Sequence, residues 1–511
     1  MTRRTALTGT TAIALIPAAN ITRSGNPRGP VSPSDFLPTG VTSPTHATPA
    51  QTTAAIQAAI DSGAGDIYLS AGVWVVEPPV HEALPGTFGA SSVCIDLRSN
   101  LFLHGPGILR LAAGKGGPSG AILGNRNGLA IENVRIECSI DGNQVHAAGK
   151  MSGIVLVNAT NCIVRNIFVK NTSFNGVQFA KQSLACIIEN VTLNNIGYIG
   201  VQLQGANQAK VLKNSFYLIG DNAIDFESNN EESDLNVIIQ NSGSGCSTFI
   251  FMESGGNTII RDNSAADIRE AGIWLNRINS GSEHNLIVAN RLRRGTGAGR
   301  RGAIYVNNSS GRSLVSGNHI DGFDCGLILE GSSTHLAIES NYFRNIAKVL
   351  YKISPMESAL VKSVVKQSYY EGPLNGHFPL TCSPLKNRQN SPNRTFNVIV
   401  ESMWNLDEGA ARAGMPDEEY RTGTTGQLQR YARWNGAYAE FNAGDTWVYA
   451  PEAALTLGRY IVIDDTTLII HSKREAGVWM LRNAMGNQSD LTGILNSSHV
   501  FHEYWPEWQS G

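Results

Sequence analysis

A surplus of charge of one sign is what this sequence lacks: 40 lysines and arginines stand against 42 aspartates and glutamates, for a net charge of −2 over 511 residues. A chain so balanced has no basic field with which to grip phosphates, so no nucleic-acid partner is expected. Cysteine is sparse as well: the seven are scattered without a CxxC or other metal spacing, which indicates no zinc site and no bound metal. Cys162 and Cys186 fall at equivalent places and read as stacked core residues. Prolines number only 20 against 53 glycines, a balance that suits many turns. The apolar run near the N-terminus, which ends at Ile16, is too short and too rich in Thr and Gly to span a membrane.

What is present is a repeat between residues 153 and 331. Eight apolar strands align: Gly153-Ile-Val-Leu, Gly176-Val-Gln-Phe, Gly200-Val-Gln-Leu, Ala223-Ile-Asp-Phe, Phe249-Ile-Phe-Met, Gly272-Ile-Trp-Leu, Ala303-Ile-Tyr-Val and Gly326-Leu-Ile-Leu. Their starts lie 23, 24, 23, 26, 23, 31 and 23 residues apart. A second strand follows each and ends at Asn166, Asn190, Asn214, Asn241, Asn263, Asn290, Asn318 or Asn341. A fixed period with period-2 alternation inside each strand predicts a solenoid of parallel strands, a β-helix in which stacked coils bury one continuous core. Ile154, Val177, Val201, Ile224, Ile250, Ile273, Ile304 and Leu327 form one inward column of that core. Asparagine tolerates left-handed backbone angles, so the Asn column is expected to be a structural ladder at a corner.

Alternation also names the outward side chains. One column reads Val155, Gln178, Gln202, Asp225, Phe251, Trp274, Tyr305, Ile328, and the column two residues on reads Val157, Ala180, Gln204, Glu227, Glu253, Asn276, Asn307, Glu330. Neighbouring parallel strands sit roughly 4.8 Å apart and i, i+2 positions roughly 6.6 Å apart, so Asp225, Glu227 and Glu253 should share one patch. Phe251, Trp274 and Tyr305 continue that face as an aromatic strip. Gln202, Gln204, Asn276, Arg277 and Asn307 complete the expected substrate-binding set.

Thr48-Pro49-Ala50-Gln51 supplies an N-cap, a proline at the first helical position and a capping-box partner, followed by Ala54, Ala55, Ile56, Ala59 and Ile60 on one face. A helix capping the open end of the solenoid is expected there, with the first strand pair beginning at Asp66. Past Ala347 the period fails. Residues 404–511 hold six of the chain's eight tryptophans, and the runs 459–463 and 467–471 predict a β-hairpin. The expected division is residues 1–22 as an export signal, 23–47 as a linker, 48–350 as the β-helix, 351–403 as a transition and 404–511 as a β-rich capping or accessory module.

Three resemblances add to this. Arg3 and Arg4 before a short apolar segment ending in Pro17-Ala18-Ala19 resemble a twin-arginine export signal, which implies a periplasmic or secreted protein. The helix, apolar strand, Ser-Ala-Gly turn and further strand of residues 51–76 resemble the entry to pectate-lyase-like and epimerase-like proteins, implying a right-handed parallel β-helix that acts on carbohydrate. Gly220-Asp221-Asn222-Ala223-Ile224-Asp225-Phe226-Glu227 resembles the Gly-Asp-Asp rung of polygalacturonase-type glycosidases. There Asp221 matches the first Asp, Asn222 replaces the second, Tyr198 stands where that family has another Asp, and no Gly-His-Gly occurs at residues 242–245.

Glycoside hydrolysis needs one protonated and one ionised carboxyl, and crowded acids separate their pKa values. Asp221, Asp225, Glu227 and Glu253 are therefore the candidate catalytic groups, with Asp225 and Glu227 spaced for inversion. A polysaccharide or oligosaccharide is the expected substrate and no cofactor is expected. The alternatives are a uronate lyase or epimerase using Arg277, the arginines at 291, 293, 294, 300 and 301, and Ca²⁺ held by the acids; an intramolecular glycosyl transferase; and a non-catalytic sugar-binding protein. A homo-oligomer stays open.

Overall fold

Short strands with alternating faces can bury their apolar sides only by stacking, and that is the architecture found. The structure is a computed structural model that describes the chain from residue 29, leaving out 79–91, 113–118, 126–129, 138–149, 228–232, 277–284, 296–301, 308–312, 332–335, 356–361, 372–379, 383–396 and a few shorter gaps; beyond 405 it describes strand segments only. The expected export signal therefore lies outside the described residues. Three sheets of 14, 13 and 12 strands run side by side, and within each sheet a strand pairs in parallel with the strand three places earlier in the chain, except that Gly426–Gln427 ends the first sheet antiparallel to Asn397–Val400. Each coil of the right-handed β-helix thus gives one strand to every sheet. No helix among the described residues is long and apolar enough to cross a membrane.

The register is the one the repeat predicts. Ile154 pairs with Val177, Val177 with Val201, Val201 with Ile224, Ile224 with Ile250, Ile250 with Ile273, Ile273 with Ile304 and Ile304 with Leu327. All of them belong to one buried core that extends from helix α1 (Pro49–Asp61) to Tyr370. The helix is capped as expected: the Thr48 hydroxyl accepts from the Gln51 amide, and the Gln51 side chain accepts from the Thr48 amide. Ala55, Ile56, Ala59 and Ile60 are buried under it, whereas Ala54 is exposed. Residues 33–46, expected to be part of a patternless linker, hold the 3-10 turns Pro33–Phe36 and Pro44–His46, and Val31 bridges to Ile67.

Two expectations change. The coils do not stop near residue 350: Val349–Pro355, Lys362–Lys366, Ser368–Glu371, Leu380–Cys382, Asn397–Val400 and Met403–Asn405 continue all three sheets. Longer connections between these strands break the fixed period while the strands themselves persist. The asparagine column is also two columns. Asn214, Asn241, Asn263, Asn290, Asn318 and Asn341 form a buried ladder, each side-chain amide donating to the Oδ1 of the next at 2.9 Å. Asn166 and Asn190 sit one position earlier, at the left-handed corner residue, where later coils carry Lys213, Gln240, Asp262, Ala289, Gly317 and Ser340. The left-handed turn and the ladder are adjacent requirements, and asparagine satisfies either.

A second left-handed column contains Asn171, Asn195, Leu218, Gly245 and Asp267. Asn, Asp and Gly tolerate that conformation; leucine does not, and Leu218 is also 64% exposed. Leu218→Asn should raise stability by about 1 kcal/mol, and it would extend the pair in which the Asn195 amide donates to Asn171 Oδ1 at 2.8 Å. Thermal or denaturant unfolding checks this, and a loss of stability would count against the backbone argument.

Near the C-terminus a separate six-stranded antiparallel sheet includes the expected hairpin, Tyr460–Ile463 with Thr466–Glu475. Cys162 and Cys186 are buried on successive coils and form no disulfide with each other.

Candidate active site

The third sheet brings the expected acids together, because its strands repeat in register. Gln202 pairs with Asp225 and Asp225 with Phe251, while Gln204 pairs with Glu227. The Glu253 amide donates to the Phe226 carbonyl at 2.9 Å, which sets Glu253 beside Glu227 on the next coil. Asp221 lies just before the strand Asn222–Glu227, at the corner between the second and third sheets. Gly220 is needed there, since a Cβ would run into the Gly197 carbonyl of the previous coil. Arg269 reaches back across a coil to donate to the carbonyls of Ile219 at 3.2 Å and Gly220 at 2.6 Å, pinning the turn that carries Asp221.

Outward in this sheet does not mean solvated. Asp225 is only 4% exposed; Asn222 Nδ2 donates to its Oδ2 at 2.8 Å, and its Oδ1 is buried without a hydrogen-bond partner. Burial drives its carboxyl well above the usual carboxylate range; the Asn222 bond opposes this, and Glu227, Glu253 and Asp221 reinforce it. Asp221 is also raised, by burial and then by Glu270, against the pull of Arg269. Glu227 is half-buried and accepts a hydrogen bond from Gln202 Nε2, and Gln202 Oε1 in turn accepts from Asn175 Nδ2 at 2.6 Å. Gln178 Nε2 and Gln204 Oε1 are buried without partners. The carboxylates thus sit beside a row of amides, an arrangement that favours the neutral form of Asp225 and holds Glu227 by hydrogen bonding.

Apolar patches flank this polar belt on both sides. Val93, Ala121, Val155, Val157 and Ala180 cluster on the N-terminal side, and Tyr305, Cys325 and Ile328 with Trp274 cluster on the other. The expected aromatic strip is therefore largely packed away: Phe251 and Tyr305 are buried, and the rings pack in series in tilted contacts at 4.6 and 5.2 Å between centroids. Only Trp274 keeps intermediate exposure. Asn276 and Asn307 are half-buried and joined by a 3.3 Å hydrogen bond.

The five arginines at 291, 293, 294, 300 and 301 are not described as one group. Arg291, Arg293 and Arg294 lie on a strand of the second sheet, and Arg294 is paired with Asp324, because the alternation of that strand continues the stack through Leu292. Arg277, Arg300 and Arg301 lie outside the described residues. Among the described residues no group of three or more His, Cys, Asp or Glu side chains is arranged to hold a metal ion. Sequence reasoning missed Asn222 as the donor to Asp225, Asn175 as the donor behind Gln202, and Arg269 as the clamp. Asn222 was legible as a departure from a motif but not as a hydrogen-bond donor to Asp225.

The family model for the right-handed β-helix region matches residues 175–343. Among solved structures the chain is similar to the catalytic unit of a thermostable GH87 α-1,3-glucanase from Streptomyces thermodiastaticus strain HF3-3, with TM-score 0.51 and 13% identity over 75% of this chain and 69% of that one. It is similar too to the A-module of the mannuronan C-5 epimerase AlgE6 of Azotobacter vinelandii, with TM-score 0.50 and 16% identity over 73% of this chain and 98% of that one. A hyperthermoactive exopolygalacturonase from Thermotoga maritima matches at TM-score 0.44 and 11% identity, over 73% and 91% of the two chains. At these identities the likeness is one of fold, and chemistry has to be argued from the site.

Proposed function

We propose that this right-handed parallel β-helix is a polysaccharide-active enzyme that hydrolyses glycosidic bonds, working outside the cytoplasm. The observation that carries the reading is Asp225: a buried carboxyl held by Asn222, with one oxygen unpartnered and three other acids around it. Such a group stays protonated at a pH where ordinary carboxylates are ionised, which is what a general acid requires. Asp225 gives its proton to the glycosidic oxygen as the bond to the anomeric carbon breaks. Glu227, two residues along the same strand and oriented by Gln202, takes a proton from the water whose oxygen bonds to that carbon. Side chains two apart on a strand are spaced by roughly 6.6 Å, within the roughly 6.5–9.5 Å that leaves room for the water of an inverting reaction. Asp221 and Glu253 supply the negative surroundings that keep Asp225 neutral and favour an oxocarbenium-like transition state.

The test is product analysis on a panel of neutral and uronate polysaccharides, reading new reducing ends and unsaturated uronate absorbance together. Reducing ends without the chromophore, lost in Asp225→Asn and in Glu227→Gln, are expected. Appearance of the chromophore would move the assignment to elimination.

A further inference from the structure

The corner column that carries Asp221 has a shape of its own. Backbone hydrogen bonds stack Phe174, Tyr198, Asp221, Ser247 and Glu270 one per coil: the Tyr198 amide donates to the Phe174 carbonyl, Asp221 to Tyr198, Ser247 to Asp221 and Glu270 to Ser247, at 2.8–3.1 Å. The first two are rings, stacked at 5.1 Å between centroids and 10° between planes, with Lys150 Nζ 5.0 Å from the Phe174 centroid. The next two are short side chains. The column therefore steps down after Tyr198 into a notch two coils wide, roughly 10 Å, floored by Asp221 and Ser247 and bounded beyond by the exposed Glu270.

Tyr198 is the aromatic that faces this notch and remains accessible. It is 40% exposed, whereas Phe251 and Tyr305 are buried in their own stack. Phe174 supports one face of the Tyr198 ring, so the other face looks along the column over Asp221. Burial, then Asp221, Asp225, Glu227 and Glu253 in turn, push its phenol above the ordinary range, which puts the hydroxyl in the field of all four acids. On and just before the strands that follow this column, buried atoms of both kinds lack partners: Asp225 Oδ1, Gln204 Oε1 and Asn175 Oδ1 as acceptors or proton donor, and Gln178 Nε2 as a donor, each in a residue at least nine-tenths buried. Sugar hydroxyls donate and accept alike and can answer such a mixed set.

Charge selects the kind of sugar. Around the notch, among the described residues, Asp221, Glu227, Glu253 and Glu270 face Arg269, which is engaged by backbone carbonyls, and Lys150, which lies over the Phe174 ring. An anionic ring placed there meets like charge at short range, while a neutral ring meets none. We infer that Tyr198, backed by Phe174, is the platform that seats a sugar ring against Asp221 and Asp225, and that the site takes a neutral polysaccharide rather than a uronate polymer. This rests on the hydrolase reading for its chemistry, but binding can be measured apart from cleavage.

Calorimetric titration of Asp225→Asn with neutral and uronate oligosaccharides of equal length, at low and high salt, tests the class of sugar. Neutral oligomers should bind with little salt dependence, and uronate oligomers at least about tenfold more weakly at low salt, recovering as salt screens the acids. Uronate binding as tight as neutral binding, or no binding by either, overturns the inference. Kinetics on the best neutral substrate then test the platform: Tyr198→Ala should raise KM about tenfold with kcat little changed, Tyr198→Phe should recover most of that loss, and Tyr217→Ala, an exposed ring on the second sheet, should behave as wild type. An unchanged KM in Tyr198→Ala removes the platform and leaves the hydrolase reading standing. Cleavage of no polymer, together with tight neutral binding, removes that reading and keeps the platform.

Discussion

Asp225→Asn should lower turnover by about 10³-fold, the usual scale for loss of a general acid, and should raise the melting temperature at neutral pH. Both results come from the same buried carboxyl. Its folded pKa lies above the unfolded value, with burial as the largest cause. The stability it contributes is therefore complete below the unfolded pKa and is lost as pH rises through the folded pKa. Asparagine keeps an acceptor for Asn222 and does not titrate, so the variant escapes that loss. Its melting temperature relative to wild type should climb as pH goes from about 4, near the unfolded carboxylate pKa, toward 8. A pH series of thermal unfolding curves beside reducing-end assays gives both readings. Retained activity would end the acid assignment, and a pH-independent difference in melting temperature would mean that Asp225 is ionised in the fold.

Asn263→Ala should cost about 4 kcal/mol, from several buried polar groups losing partners at roughly 1–3 kcal/mol each. Asn263 Oδ1 accepts from the backbone and side-chain amides of Asn241, both at 2.9 Å, and its Nδ2 donates to the Ile238 carbonyl at 3.0 Å and to Asn290 Oδ1 at 2.9 Å. Truncation leaves the Asn241 backbone amide and one Nδ2 hydrogen buried with nothing to bond, while Nδ2 keeps its bond to the Val211 carbonyl. Asn190→Ala at the outer corner removes a single exposed contact to Asn166 and an Asn suited to φ 52°, and should cost only about 1 kcal/mol. Denaturant unfolding of the two variants separates ladder from corner, and equal losses would show that the buried ladder carries no special weight.

The columns of this fold were legible in its sequence because stacking forces like residues into register. Ile154 through Leu327 and Gln178 through Trp274 could be written down from spacing alone, and the pairing agrees with them residue by residue. The ladder was legible as asparagine but not as two columns, since Asn190 and Asn214 differ by one residue of phase, which alternation in neighbouring strands does not report. The later coils escaped notice for a related reason: after residue 350 the connections lengthen, and a period is a property of connections as much as of strands.

At the site, the sequence indicated which acids share a face and little of their state. Whether Asp225 is wet or dry depends on what packs over the outer face and on a donor from Asn222, and neither follows from alternation. The aromatic strip illustrates the same limit, because Phe251, Trp274 and Tyr305 are in line as expected yet spend most of their surface on one another. Tyr198, set apart only as a departure from a motif, is the accessible ring stacked next to Asp221 in its column.

Because each strand pairs only with the strands one coil before and one coil after, inheritance in such a molecule works by whole coils. Residues 198–253 hold every acid of the proposed reacting centre, and the coils on either side meet it only through neighbours. A duplicated or deleted coil outside that stretch would lengthen or shorten the face beside the centre by one strand spacing without disturbing Asp225. Reach along a polymer and the chemistry performed on it are in this sense separate traits, open to independent change in descendants or by design.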